Sequence, residues 1–211
     1  MPVNNAWETY SKSTESHFAR FEHFLFWNVH RAFLRFLPKP GGRCLDVGAG
    51  SGRDAAAMSA RGLHVVAVEP NEALLNLARN QHAKINLTWI QDSLPNLEKI
   101  VRRNEKYDFI LLSAVWMHLP NSQRNAALAT LSSLLSEQGY LAISLRLGAA
   151  EPDRAIYEVD VHELVKLSIN NGLSPTYVSR PVKDSLNRSK IRWVKVVLKK
   201  EVPGRMRNEK N

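Results

Sequence analysis

Short apolar runs alternate with helical segments along most of the chain, and this alternation indicates the fold. Strands are expected at residues 43–47, 64–68, 86–90, 107–112, 140–145, 174–179 and 190–198. Helices are expected at residues 53–61, from residue 70, at 121–136 and at 161–170. This order predicts an α/β domain with a doubly wound, mostly parallel seven-stranded sheet covered on both faces. The ten residues between the last two strands are too few for a parallel crossover, so the last strand is expected to be antiparallel.

Residues 13–37 have a different pattern, with apolar side chains at steps of three and four, the period of one helix face. The stripe consists of Phe18, Phe21, Leu25, Val29, Ala32 and Phe36. Prolines and glycines between residues 38 and 42 then break the chain. We expect residues 1–39 to form an N-terminal helical cap or lid, residues 40–200 the α/β domain, and residues 201–211 a basic flexible tail.

The formal net charge of +9 is concentrated at the C-terminal end, where residues 183–211 contain ten Lys or Arg and three Asp or Glu. Such a segment either attracts nucleic acid or an acidic substrate, or is a solvated and partly frayed terminus. The only cysteine, Cys44, permits no internal disulfide, which favours a reducing, cytoplasmic location. We find no apolar run of the roughly 18 residues that a membrane span needs, and no secretory signal.

The candidate chemistry begins with a glycine-rich turn between the first strand and the helix that follows it. Asp46 precedes Gly48, Gly50 and Gly52 at regular spacing, with Ala49 among them. Glycines allow close approach to a ligand, and the helix start offers N–H groups to a carboxylate or phosphate. A dinucleotide site would place its third glycine at position 53, where this chain has Arg53. The observed spacing instead resembles motif I of the class I S-adenosyl-L-methionine-dependent methyltransferases.

The resemblance extends over residues 40–200 and implies roles for residues that follow the second and third strands. Behind this turn, Glu69 is expected to accept hydrogen bonds from both ribose hydroxyls, with Pro70 beside it; the alternative is a surface acid at a helix start. Asp92 would accept from the adenine amino group, and Ser93 and Leu94 would line the adenine slot. The alternative for Asp92 is a simple turn residue.

The loop after the fourth strand would border the transferable methyl group in the resembling family. It lacks the Asp/Asn-Pro-Pro-aromatic motif of enzymes that methylate amines of DNA bases, so it looks more like the small-molecule branch. Ser113 would contact the methionine part of the cofactor. His118 is the candidate general base, or else packs at the next helix start. Trp116 either stacks on the acceptor or fills the core.

Two further elements complete the expected site. Arg146, at the end of the fifth strand, either grips an acceptor carboxylate or phosphate or is a solvent-facing charge. Tyr10 and Trp7 precede the N-terminal helix and are the candidates for a lid over the cofactor. We predict no metal, because His17, His23 and His30 lack the spacing of a helical zinc pair. A catalytic role for Cys44 is not expected inside a buried strand.

The sequence therefore predicts a methyltransferase that moves a methyl group by in-line displacement from S-adenosyl-L-methionine to an oxygen or nitrogen of a small molecule. Two alternatives stay open. One is an RNA- or protein-directed methyltransferase that uses the basic C-terminal segment, and the other is a cofactor-binding protein without turnover. The chain is expected to act as a monomer or homodimer and not at a membrane.

Overall fold

The computed structural model describes residues 24–186 and 188–201. Its α-helices are α1 (Phe26–Val29), α2 (Arg53–Ser59), α3 (Glu72–Gln81), α4 (Glu98–Arg102), α5 (Asn121–Leu134) and α6 (Val161–Asn170). Its strands are β1 (Arg43–Val47), β2 (His64–Val68), β3 (Thr88–Ile90), β4 (Tyr107–Ser113), β5 (Leu135–Leu147), β6 (Leu173–Val178), β7 (Val182–Lys183) and β8 (Arg192–Lys200). Short 3₁₀ helices lie at Arg31–Phe36, Trp116–His118 and Pro152–Arg154.

The strands form one sheet in the order β3-β2-β1-β4-β5-β8-β6, and β7 pairs with β8 outside this path. The pairs from β3 to β5 are parallel, whereas β8 runs antiparallel to both β5 and β6. The predicted α/β fold with a mostly parallel sheet is therefore confirmed. The sheet has eight strands rather than seven, because the two residues of β7 add a short edge that is too brief to produce a pattern.

Both faces of the sheet are covered, which explains why the strands are apolar along their whole length. Leu45, Ile110 and Ile143 belong to a core on one face that includes leucines of α5 and α6. Cys44, Phe109 and other alternate residues belong to the core on the opposite face, together with α2 and the N-terminal helical turns. These alternate assignments follow from the two-residue period of a strand.

The continuous helix predicted for residues 13–37 is not observed where the structure describes that segment. α1 ends at Val29, and a 3₁₀ helix follows after His30. The buried residues are Phe26, His30 and Phe33, whereas Leu25 of the predicted stripe is 66% exposed. The break has a tertiary cause, because the His30 ring stacks on Phe33 and is hydrogen-bonded to the distant helix α2. The predicted residues 13–23 lie outside the described part.

The sheet order reverses its direction at β1, which has β2 on one side and β4 on the other. Parallel α/β sheets bind ligands at such a switch point, outside the carboxyl ends of the strands. The fold therefore places the glycine turn after β1 where a ligand is expected. Among the described residues, no helix is long and apolar enough to cross a membrane.

Candidate functional site

A cavity of about 420 Å³ lies at the carboxyl ends of the strands, which is within the usual size range of small-molecule sites. Its first wall contains the predicted cofactor residues Gly48, Ala49, Gly50, Glu69, Pro70, Asp92, Ser93 and Leu94. Its second wall contains Ser113, His118, Arg146, Trp193 and Lys195. The structure thus brings most of the predicted site residues together around one space. Tyr10 lies outside the described residues.

The glycine turn folds back onto the neighbouring strand. The backbone N–H groups of Gly48 and Ala49 both donate to the Val68 carbonyl oxygen, each at 2.8 Å. Gly48 has a φ of +73°, and a Cβ there would lie 2.5 Å from Cγ2 of Val115, a residue of the second wall. The turn therefore needs glycine at 48 for both its conformation and its contact.

Gly52 was expected to bind the cofactor, but it does not line the cavity. It is the N-cap of α2, with a φ of +82°, and a Cβ there would collide with the Trp89 ring. Trp89 in turn stacks on His82 at a centroid separation of 6.4 Å. Gly52 consequently shapes the turn from behind, and its contact with a cofactor stays a prediction.

Asp46, whose contact with the cofactor stays a prediction, lies behind the cavity wall and is 1% exposed. Its carboxylate accepts a backbone hydrogen bond from Ala55 at the start of α2. Oδ2 has no hydrogen-bond partner among the described residues. Burial raises the pKa of Asp46, and the neighbouring Asp54 raises it further. This geometry supports a role in holding the turn against α2 rather than direct contact with a cofactor.

Glu69 lies on the cavity wall, is 5% exposed, and is held by two backbone groups. Oε2 accepts from the Gly50 N–H at 2.9 Å, and Oε1 accepts from the Asn71 N–H at 2.9 Å. Burial raises the pKa of Glu69 to about 7 in spite of these two bonds. The carboxylate is thus fixed in position at the end of β2.

Asp92 lines the cavity and also caps the short helix α4. Oδ1 accepts from the Ser93 N–H at 2.9 Å, and Oδ2 accepts from the N–H groups of Lys99 at 2.7 Å and Ile100 at 3.1 Å. Asp92 therefore stabilises the local turn through backbone hydrogen bonds, which is the alternative that the sequence left open for it. An ionised carboxylate has about four acceptor positions, so one position of Asp92 is not used by these bonds.

The loop after β4 carries the candidate base. His118 lines the cavity, and its Nδ1 lies 3.0 Å from the Ala155 carbonyl oxygen. Because a carbonyl only accepts, Nδ1 carries the proton, and the Nε2 of the neutral ring is unprotonated. Burial lowers the pKa of His118, which favours the neutral ring near pH 7. The ring therefore has the tautomer that a general base needs.

Trp116 does not contact the cavity. It is 1% exposed and belongs to the core under α5, so the alternative in which it fills the core is the one observed. Ser113 does line the cavity, and its Oγ lies 3.3 Å from Nε2 of His30. His30 Nε2 also lies 2.8 Å from Asp54 Oδ2, so the N-terminal segment is fastened to both α2 and the end of β4.

Arg146 lies on the cavity wall but is only 3% exposed, so it is not a solvent-facing charge. Its guanidinium is paired with Glu151, which also binds Arg154 at 2.7 Å, and it donates to the Ala149 carbonyl oxygen at 3.1 Å. Its Nε is buried without a partner among the residues that the structure describes. A binding role for Arg146 would therefore use this remaining donor.

Several residues that line the second wall were not predicted from the sequence. Trp193 and Lys195 face it from β8, and Asp184 and Arg188 approach it from the connection between β7 and β8. Asp184 accepts from Trp193 Nε1 at 2.7 Å and from Arg188 Nε at 2.8 Å. The only available signal was the two-residue period of β8, which places Trp193 and Lys195 on one face.

Comparison with known proteins agrees with this geometry. Residues 18–171, more than half of the chain, match the model of a family described as a methyltransferase domain. Among curated proteins, the chain is 25% identical over 151 residues to a carboxy-S-adenosyl-L-methionine synthase from Geobacter sp. (strain M21). This match covers 67% of the chain and 59% of the relative, so the chain spans less than two thirds of that protein's length.

Solved structures of the same fold include two methyltransferases. The 1,6-didemethyltoxoflavin-N1-methyltransferase of Burkholderia thailandensis, solved with 1,6-didemethyltoxoflavin and S-adenosylhomocysteine, has a TM-score of 0.73 at 18% identity. The match covers 92% of this chain and 85% of that one. The magnesium protoporphyrin IX methyltransferase of Synechocystis PCC 6803, solved with S-adenosylmethionine, has a TM-score of 0.66 at 16% identity, with coverage of 90% and 84%.

At these identities the solved structures show a shared fold, whereas the family match rests on the sequence itself. The sheet order, the glycine turn after β1 and the matched family model agree with one another. The chain therefore belongs to the methyltransferase domain family, as the resemblance in its sequence predicted.

Proposed function

We propose that this chain is an S-adenosyl-L-methionine-dependent methyltransferase that acts on an oxygen or nitrogen atom of a small-molecule acceptor. The observation that carries the proposal is the shared cavity. It joins the glycine turn and Glu69 on one wall to His118 and Arg146 on the other. Such a space holds a methyl donor and an acceptor against each other, which is the arrangement that an in-line displacement requires.

The hydrogen-bond acceptors of the first wall suit the donor groups of an adenosyl moiety. Each oxygen of Glu69 accepts one backbone N–H, so each retains one position for a ribose hydroxyl. Asp92 retains one position for the adenine amino group, and Leu94 offers an apolar contact to the base. Ser113 would contact the methionine part of the donor.

The donor, when bound, supplies an electrophilic methyl group on a positively charged sulfur. The protein has to align the acceptor with this group and keep water out. His118 would take the proton of an acceptor hydroxyl or ammonium group on Nε2, while its Nδ1–H stays on the Ala155 carbonyl. The Nδ1 bond fixes the ring plane and so keeps Nε2 in one orientation.

A small acceptor is favoured over RNA by the positions of basic residues on β8. Lys199 lies over the Tyr140 ring at 5.8 Å, and Lys200 donates to Ser132 Oγ at 2.6 Å. Arg192 donates to the carbonyl oxygens of Ser189 and Ile191. Because these three side chains have partners within their own chain, their charge has a structural use that needs no nucleic acid.

The test of function is a turnover assay with methyl-labelled donor against a panel of metabolites, with bulk RNA as a separate arm. We expect label transfer to one small-molecule pool, together with formation of S-adenosylhomocysteine. Transfer to RNA alone would support the macromolecular alternative. Because the Geobacter relative is named as a synthase of carboxy-S-adenosyl-L-methionine, the assay should also follow changes to the donor itself.

A ligand-binding measurement tests whether the cavity holds the methyl donor or a dinucleotide. Combined with the turnover assay, it also tests whether the chain is a cofactor-binding protein without turnover. S-adenosylhomocysteine should raise the melting temperature and NAD should not, because Arg53 occupies the third glycine position of a dinucleotide turn. At one hundred times the dissociation constant the stabilisation is about 2.7 kcal/mol. Binding of S-adenosylhomocysteine without any turnover would support the non-catalytic alternative, whereas stabilisation by NAD alone would contradict the proposal.

A further inference from the structure

Lys195 is a cation on the cavity wall that has no counterion among the described residues. No carboxylate of this part of the chain lies within ion-pair distance of its ammonium group. Its ammonium group lies over two aromatic rings, with Nζ 5.4 Å from the Phe33 ring centroid and 6.0 Å from that of Trp193. Cation–π contact compensates only part of the cost of removing an ammonium group from water. Burial lowers the pKa of Lys195 to about 8, because removal from water destabilises the charged form of the amine.

Two carboxylates of this region, Asp54 and Asp184, are already engaged by other groups. Asp54 binds Arg53 Nη2 at 2.6 Å and His30 Nε2 at 2.8 Å. Asp184, which is bonded to the neighbouring Trp193 indole, also binds Arg188. Among the described residues neither carboxylate forms an ion pair with Lys195, and the charge of Asp54 raises the pKa of Lys195 by less than burial lowers it, so the positive charge is only partly compensated.

The position of Lys195 in the sheet places this charge beside the reacting centre. Ser113, Ser144 and Lys195 are register partners across β4, β5 and β8, and all three line the cavity. Neighbouring strands are about 4.8 Å apart, so the backbone of Lys195 lies about 10 Å from that of Ser113. The lysine side chain is long enough to reach a molecule that lies over Ser144.

We propose that Lys195 binds a carboxylate group of a molecule in this cavity. The inference rests on the proposed function, because it concerns the same cavity. A carboxylate there would supply the missing counterion, and a charge-assisted hydrogen bond is stronger in this partly buried place than in water. Two molecules can bring the carboxylate: the methionine part of the methyl donor, or the acceptor.

The test compares Lys195→Met, which removes the charge, with Lys195→Arg, which keeps it. The matched control is Lys199→Met on the same strand, because Lys199 lies over Tyr140 and does not line the cavity. The donor arm measures the binding of S-adenosylhomocysteine and of 5′-methylthioadenosine, which lacks the carboxylate. The acceptor arm measures the binding of benzoate and neutral benzamide to the protein alone and to the protein with saturating S-adenosylhomocysteine.

A carboxylate on the donor predicts that Lys195→Met weakens S-adenosylhomocysteine binding about tenfold or more and leaves 5′-methylthioadenosine binding unchanged. A carboxylate on the acceptor predicts the same loss for benzoate and none for S-adenosylhomocysteine. In either case Lys195→Arg should restore most of the affinity. The inference would be overturned if Lys195→Met bound S-adenosylhomocysteine and benzoate with the same affinities as Lys199→Met.

The melting temperature of Lys195→Met checks that a loss of affinity does not come from misfolding. We expect it to equal or exceed the wild-type value, because an ammonium group without an ion-pair partner among the described residues is replaced by an apolar side chain of similar length. A wild-type chain that binds benzoate through Lys195 but never binds S-adenosylhomocysteine would contradict the proposed function and support this inference. Binding of neither ligand would overturn both.

Affinity of the wild-type protein for the carboxylate should also fall as the pH rises through about 8, where Lys195 loses its proton. The charged groups facing Lys195 are Asp54 and Arg53 of α2 and His30 of the N-terminal segment. Burial lowers the pKa of His30, so this ring is neutral in that range. Lys195→Arg should show no such fall, and a fall that persists in this variant would contradict the assignment.

Discussion

The backbone N–H of Gly50 donates a hydrogen bond of 2.9 Å to Oε2 of Glu69, which ties the glycine turn after β1 to the end of β2. The other oxygen of Glu69 accepts from the Asn71 N–H at the start of α3. The two elements expected to hold the donor therefore form one unit. A change in the Glu69 carboxylate is consequently expected to act on ligand binding and on the turn together.

Glu69→Gln should weaken the binding of S-adenosylhomocysteine about tenfold or more, as measured by calorimetry. The amide keeps the shape but replaces one acceptor oxygen with a donor, so a ribose hydroxyl and a backbone N–H lose a partner. Glu72→Gln, in the exposed first turn of α3, is the matched control and should bind normally. Equal affinities in the two variants would show that the ribose is held elsewhere.

The contribution of Glu69 to the stability of the ligand-free protein should fall as the pH rises from about 5 to 8. The folded-state pKa of Glu69 is raised from 4.5 to about 7, so the folded protein binds a proton in this range that the unfolded chain has lost. The stabilising contribution is thus complete below pH 4.5 and is lost as the pH passes about 7. The difference in stability between the wild type and Glu69→Gln should follow this loss in thermal melts, because Asp46, His30 and His118 contribute their own pH dependence to both proteins. A difference that changes in the opposite direction with pH would contradict the assigned pKa of Glu69.

Binding of S-adenosylhomocysteine should show the reverse dependence and strengthen between pH 6 and pH 8. Ribose hydroxyls donate to the ionised form of Glu69, so the ligand binds best when the carboxyl has lost its proton. Titrations at constant ionic strength measure this effect. A pH-independent affinity would indicate that Glu69 is ionised throughout or does not contact the ligand.

His118→Asn should reduce turnover by about 10² to 10⁴ with little change in the binding of S-adenosylhomocysteine. The asparagine amide can still donate to the Ala155 carbonyl as Nδ1 does, but it has no basic nitrogen in place of Nε2. The variant therefore separates the structural bond from proton acceptance. Retention of full turnover in His118→Asn would remove His118 as the base.

Gly52→Ala should lower the stability more than Gly172→Ala, although both residues have a positive φ. Gly172 has open space around its Cβ position, so alanine there pays only the conformational cost of about 1–2 kcal/mol. At Gly52 the new methyl group also meets the Trp89 ring, which is held against His82. Chemical denaturation of the two variants compares these costs, and equal losses would show that Trp89 moves away freely.

The sequence was sufficient for those parts of the fold that depend on local pattern. Apolar strands, intervening helices and glycine turns are set by short-range preferences, so the sheet and the position of Glu69 at the end of β2 followed from them. Val65 to Val68, for example, are buried on both faces, as their uninterrupted apolar run indicated.

The misplaced elements depend on contacts between distant parts of the chain. His30 interrupts the N-terminal helix because it is bonded to Asp54, 24 residues away, and no helical period contains that information. Trp116 begins a 3₁₀ turn that directs its side chain into the core. The sequence left this open, because a tryptophan in an apolar loop is equally compatible with packing in the core and with stacking on an acceptor. The two-residue period of β8 predicts on which face of the sheet Lys195 lies. It does not predict the cavity beside Lys195, because other elements of the fold form that cavity.

The close approach of Val115 to the Gly48 backbone is expected to limit how this chain can change its substrate preference. A Cβ at 48 would meet Val115 at 2.5 Å, so a bulkier side chain at 115 that admits a new acceptor would push on the donor turn. Val182 and Leu186 also line this cavity, and they are 50% and 40% exposed. Engineering of acceptor choice should therefore succeed at 182 and 186, where side-chain size can vary while the donor turn keeps its shape.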